Sequence, residues 1–195
     1  MADSQSINIL KDVVVPLVAA GIGAGAALLA GYFAIVVPQR EQRKLEAATA
    51  RFAVSSFFEA THLAASTILA HQPLGPMQTV LREQIARFID MIPRFAVQLH
   101  RVLPDEEGSD KFYLMITELD RQRYLPAFSD YEVLFAYGTA ATTGLLLGTS
   151  KRDECTGILA LLVKDTNHKQ LAAFFDIIVD RVLPPDIRKE VRGQA

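Results

Sequence analysis

The chain has 195 residues, half of them hydrophobic, with 20 Lys and Arg against 22 Asp and Glu, and its mean hydropathy is +0.20. This near balance of charge argues against a nucleic-acid partner, since phosphate binding draws on a concentrated basic face. The lone cysteine, Cys155, excludes an intramolecular disulfide and fits a reducing compartment.

The first element is apolar. Val13 to Val37 form 25 positions without a charge, bounded by Asp12 and by Gln39-Arg40. A helix of that length measures about 37 Å and crosses about 30 Å of hydrocarbon with some tilt. Twelve of the 25 are Val, Leu, Ile or Phe, which together favour insertion by about 4 to 7 kcal/mol before the glycines and Pro16 subtract some. The run is too long for a signal-peptide core and ends in Ile35-Val36-Val37-Pro38, without a small-residue cleavage site. An uncleaved anchor is expected.

Flanking charge sets its direction. Lys11 precedes the span, whereas Arg40, Arg43, Lys44 and Arg51 follow it, so the C-terminal side is expected in the cytoplasm and the N-terminus outside. Arg40, Arg43 and Lys44 are also placed to meet anionic headgroups, at about 1 kcal/mol each, although setting topology, which needs no lipid specificity, accounts for them better. Within the span, Ala19, Gly23, Ala27 and Gly31 recur every fourth residue, and Gly21 and Gly25 make a GxxxG. Such stripes let membrane helices approach closely, but eleven Gly or Ala among 25 residues also generate these spacings by chance.

Past the span the periodicity is helical. A new helix is expected after Pro38, running to about His71, with Val54, Phe57, Phe58, Thr61, Ala65, Ile68 and Leu69 near one face. Leu45 and Phe52 begin a heptad that fails at Glu59. After the breaker His71-Gln72-Pro73-Leu74-Gly75-Pro76, the residues Met77, Leu81, Ile85, Phe88, Ile92, Phe95, Leu99 and Val102 form one apolar stripe. Pro93 is expected to kink or split that helix. Pro104 to Gly108 reads as an acidic surface loop, and Ser109 to Tyr124 as a shorter helix burying Phe112, Met115, Ile116 and Leu119.

Residues 133–150 hold no charge but carry four threonines and three glycines, and they fit a buried bundle helix better than a second membrane span. Ile158, Leu161 and Leu162, then Leu171, Phe174, Phe175, Ile178 and Val182, continue the apolar pattern to Pro184-Pro185, after which a short charged turn is expected. Arg101-Val102-Leu103-Pro104 recurs as Arg181-Val182-Leu183-Pro184, a repeat best read as coincident helix-ending chemistry. No stretch alternates like a strand.

Chemical motifs are sparse. Glu59 and His62 have the Glu-x-x-His spacing of di-iron bundles, and Asp165 with His168 is the only partial mate; such sites need two full motifs and two further carboxylates. There is no P-loop, GxSxG, GxGxxG or CxxC. No catalytic residue and no cofactor is assigned.

The expectation is therefore an all-α protein. Residues 1–12 form a short extracytoplasmic N-terminus, 13–37 a single transmembrane helix, 38–71 the juxtamembrane and first cytoplasmic helix, and 72–195 the rest of a bundle of about five to six helices. Its expected role is a non-enzymatic interaction or scaffold module at the cytoplasmic face of a membrane, with the lipid bilayer and a protein partner or a second copy as its partners. Two alternatives stand beside it: a metal-binding bundle or enzyme using Glu59, His62, Asp165 and His168, and a two-span membrane protein with 133–150 as its second span.

Overall fold

The computed structural model describes residues 31–69, 74–126 and 129–194. The described residues form seven α-helices and no strand, and the chain divides into two units, residues 1–45 and 46–195.

In the first unit, residues 13–30 of the expected span lie outside the described residues, and residues 31–37 are helical. Gly31 already has helical dihedrals (φ −61°, ψ −43°) and is followed by a π-helical turn, Tyr32–Val36. Helix α1 is Val37–Leu69. The helix is thus under way before Pro38, where a fresh start was expected. Pro38 has no N–H for the carbonyl one turn earlier and its ring crowds that carbonyl; a widened turn just upstream relieves both. Lys44 pairs with Glu41 at 2.9 Å, and the Arg40 guanidinium lies 6.0 Å from the centre of the Tyr32 ring.

The second unit is the bundle. From residue 46 onward α1 buries Ala50, Val54, Phe57, Phe58, Thr61, Ala64 and Ala65, a face produced by steps of three and four. The side chains of Ile68 and Leu69 lie outside those described. Helix α2 (Met77–Val102) buries Leu81, Ile85, Phe88, Ile92, Phe95 and Leu99, and Phe88 stacks on Phe57 with ring centres 4.7 Å apart.

Pro93 sits inside α2 without splitting it. Its side chain is exposed, so its ring stays clear of the buried face that holds α2 in place. The stripe ends differently from expectation. Val102 is exposed, and Leu103 is buried instead, because the cap residue turns to extended dihedrals (φ −70°, ψ 132°). Arg101–Pro104 and Arg181–Pro184 both lie where helices end.

The acidic segment after Pro104 is the start of a helix rather than a loop. Helix α3 is Glu106–Gln122; the Asp105 side chain accepts the N–H of Gly108, and Glu106 and Glu107 occupy the first turn. Carboxylates there meet the positive end of the helix dipole. Phe112, Met115, Ile116 and Leu119 are buried.

Helix α4 (Asp130–Leu147) opens with a capping box between Ser129 and Glu132 and closes at Gly148, whose left-handed φ of 73° favours glycine. It packs against α2, α3, α5 and α6. Its buried Thr139, Thr142 and Thr143 donate to the carbonyls of Phe135, Gly138 and Thr139 at 2.8 to 2.9 Å, so their hydroxyls enter the core already satisfied. Arg51 Nε donates to the Leu147 carbonyl at 3.1 Å, completing the C-terminal end of α4. Among the described residues no helix is long and apolar enough to cross a membrane. Most of α4 from Val133 to Leu147 is buried.

Helices α5 (Arg152–Val163), α6 (Lys169–Arg181) and α7 (Pro185–Gln194) complete the chain. The last replaces the expected charged turn. Pro185 suits a first helical position, Ile187 and Val191 are buried, and Arg152 holds Glu190 at 2.6 Å and Asp186 at 3.0 Å. Leu161, part of the apolar pattern of this segment, is 72% exposed.

Candidate functional site

Helix α5 ends at Val163, and the turn that follows is organised by one carboxylate. Asp165 Oδ1 accepts the backbone N–H of Asn167 at 2.8 Å and of His168 at 3.3 Å. Its Oδ2 accepts from His168 Nδ1 at 2.8 Å. Burial raises the Asp165 pKa, but the bonds from the His168 ring and from the two amides outweigh it and hold the carboxyl below its ordinary value. An ionised carboxylate only accepts, so Nδ1 is the protonated nitrogen when His168 is neutral, and Nε2 is left as an acceptor.

This turn forms one end of a cleft of about 400 Å³, whose walls include Ala65 of α1, Leu134 and Tyr137 of α4, and Ile158, Leu161 and Leu162 of α5. Lys164, Thr166 and Asn167 complete the polar end. Lys164 is exposed, and its backbone N–H donates to the Leu161 carbonyl at 3.2 Å. Tyr137 is hydrogen-bonded through its hydroxyl to His62 Nδ1 at 2.6 Å. Burial pushes the Tyr137 pKa up to about 12, with help from Cys155 and Glu154. Cys155 is buried and its thiol is also pushed up to about 12, by burial and then by Glu154, against the opposing pull of Lys151. A thiol held that high is a poor nucleophile.

The four metal candidates are not brought together. Glu59 is paired with Lys151, His62 with Tyr137, and Asp165 with His168. Among the described residues no three His, Cys, Asp or Glu side chains are grouped so as to hold a metal ion. A di-iron bundle would need six such ligands in one place.

Of the small-residue stripe, Ala19, Gly21, Gly23, Gly25 and Ala27 lie outside the described residues. A Cβ on Gly31 would meet nothing within 4 Å. Arg40, Arg43 and Lys44 are exposed. Tyr137 was not singled out from sequence, because 75 positions separate it from His62; its one signal is a phenol within an otherwise apolar helix.

Comparison with protein-family models, with curated proteins and with solved structures finds no match for this chain.

Proposed function

We propose that this chain is a membrane-tethered helical interaction module, anchored by residues 13–37 with its bundle on the cytoplasmic side. The observation that carries the reading is the 25-residue uncharged run followed by Arg40, Arg43, Lys44 and Arg51. Uncharged length gives the free energy to insert, and the charge asymmetry gives the direction. The absence of a recognisable catalytic motif in the sequence favours binding over chemistry. Phe52 on α1, 76% exposed, supplies apolar surface for a protein partner or a second copy.

Fusing reporters at Ala195 tests the orientation. A reporter active only in the cytoplasm should work, and one active only outside should stay silent. The reverse pattern would overturn both the orientation and the single span.

A further inference from the structure

We propose that two copies of this chain pair through the outer faces of α2 and α3, with α2 of each copy antiparallel to α3 of the other. The inference rests on the reading of the chain as a tethered interaction module, and it names the partner as a second copy.

The outer line of α2 is Asp90, Arg94, Val97 and Arg101, and that of α3 is Asp110, Leu114, Thr117 and Arg121; all eight are exposed. Counted back from Arg101 the steps are four, three and four residues, and counted forward from Asp110 they are the same. At a rise of about 1.5 Å per residue, two antiparallel helices with equal steps stay in register along the contact. That register sets Arg101 against Asp110, Val97 against Leu114, Arg94 against Thr117 and Asp90 against Arg121. Opposite charges meet at both ends, and Val97 and Leu114, 67% and 56% exposed, cover each other between them. Glu118, beside Thr117, offers Arg94 a carboxylate. Arg94 and Arg101 against Asp90 leave +1 on the α2 line, and Asp110 and Glu118 against Arg121 leave −1 on the α3 line.

The fold also makes the contact reciprocal. Helices α2 and α3 are packed neighbours, and within one copy Arg123 reaches Asp90 at 3.8 Å. Asp90 and Arg121 therefore lie within about a helical turn of each other in height. A two-fold axis parallel to the helices preserves height, so it sets Asp90 of each copy near Arg121 of the other, and every contact occurs twice. The same rotation keeps both chains running in one direction, as two chains tethered in one membrane require. Confinement there raises their effective concentration and lets a modest contact form. No ion pair among the described residues holds Arg94, Arg101 or Asp110 within the single chain, and the Asp90 side chain is 74% exposed.

The test uses the full chain in phosphatidylcholine liposomes, with Val97→Cys in one tagged copy, Leu114→Cys in a differently tagged copy, and mild oxidation. A crosslink between the two tags is expected. Val97→Cys mixed with Lys169→Cys, an exposed position outside both lines, should give none above the background of the unsubstituted chain, whose Cys155 is buried. Arg101→Asp in both copies, or Asp110→Arg in both, should lower the 97–114 crosslink about tenfold, since each creates two like-charge contacts. The two changes combined in each chain should restore it. Raising salt from about 0.05 M to about 1 M should also weaken the crosslink of the charge-intact pair, a readout that needs no charge variant. A 97–114 yield no greater than the Lys169→Cys control would overturn the pairing, as would no recovery in a combined variant of unchanged helical content, or a yield indifferent to salt. Absence of the crosslink while the Ala195 reporters still give the proposed orientation would strike the pairing alone and leave the tether standing.

Discussion

Gln122 is fully buried, and neither its side-chain amide nitrogen nor its amide oxygen has a hydrogen-bond partner among the described residues. It lies three residues after Leu119 and seven after Met115 on α3, so helical spacing directs it to the core face. An orphaned buried amide costs about 1 to 3 kcal/mol, and an apolar group of similar shape does not carry that cost. Gln122→Met is therefore expected to stabilise the protein by about 1 to 3 kcal/mol, read as a higher Tm in thermal unfolding. A fall in Tm of similar size would mean that the amide is satisfied and structurally required. Other buried polar groups show the contrast. The threonines of α4 each bond to their own helix and need nothing from their neighbours.

The helices themselves show where sequence reasoning succeeds. The buried face of α2 coincides with the stripe from Leu81 to Leu99 because spacing of three and four is geometry, independent of partners. Failures fall at helix ends. Glu106 and Glu107 look like surface-loop residues in composition, yet Asp105 caps them into the first turn of α3. In α7 only Ile187 and Val191 face the core, and two apolar residues among many charges give a weak periodic signal. Leu161 has core chemistry but sits at a cleft, and one helix's periodicity cannot reveal where its neighbour stops. The pairing of His62 with Tyr137 and that of Arg51 with Leu147 were hidden for the same reason, being set by how helices pack.

Helix α4 also yields a paired prediction at this scale. A Cβ on Gly138 would lie 2.1 Å from Phe175 Cζ, whereas one on Gly144 would meet Thr149 Cγ2 at 3.5 Å. Alanine gains about 0.8 to 1 kcal/mol over glycine within a helix, and overpacking costs about 1 to 3 kcal/mol. Gly138→Ala should therefore lower stability and Gly144→Ala should raise it, as measured by denaturant midpoints at constant m-value. Equal shifts for both would mean that the close approach of α4 and Phe175 does not constrain residue 138.

At the scale of the whole molecule, the bundle and the proposed anchor rest on different physics. The bundle is held by apolar faces that cover one another, with Phe57, Phe88, Phe95, Phe112, Phe135 and Phe175 almost fully enclosed. The anchor is proposed from an uncharged length of chain and a charge asymmetry, which sequence displays directly and packing does not alter. Deleting residues 1–38 leaves 19 Lys and Arg against 20 Asp and Glu and removes none of those enclosed phenylalanines, so the remainder is expected to keep its bundle. Extraction of membranes with alkaline carbonate, applied to the full chain and to the chain lacking residues 1–38, tests the tether most directly. The full chain should stay in the membrane pellet, and the shortened chain should appear in the supernatant as a helical, cooperatively melting protein. Release of the full chain by carbonate would contradict the account.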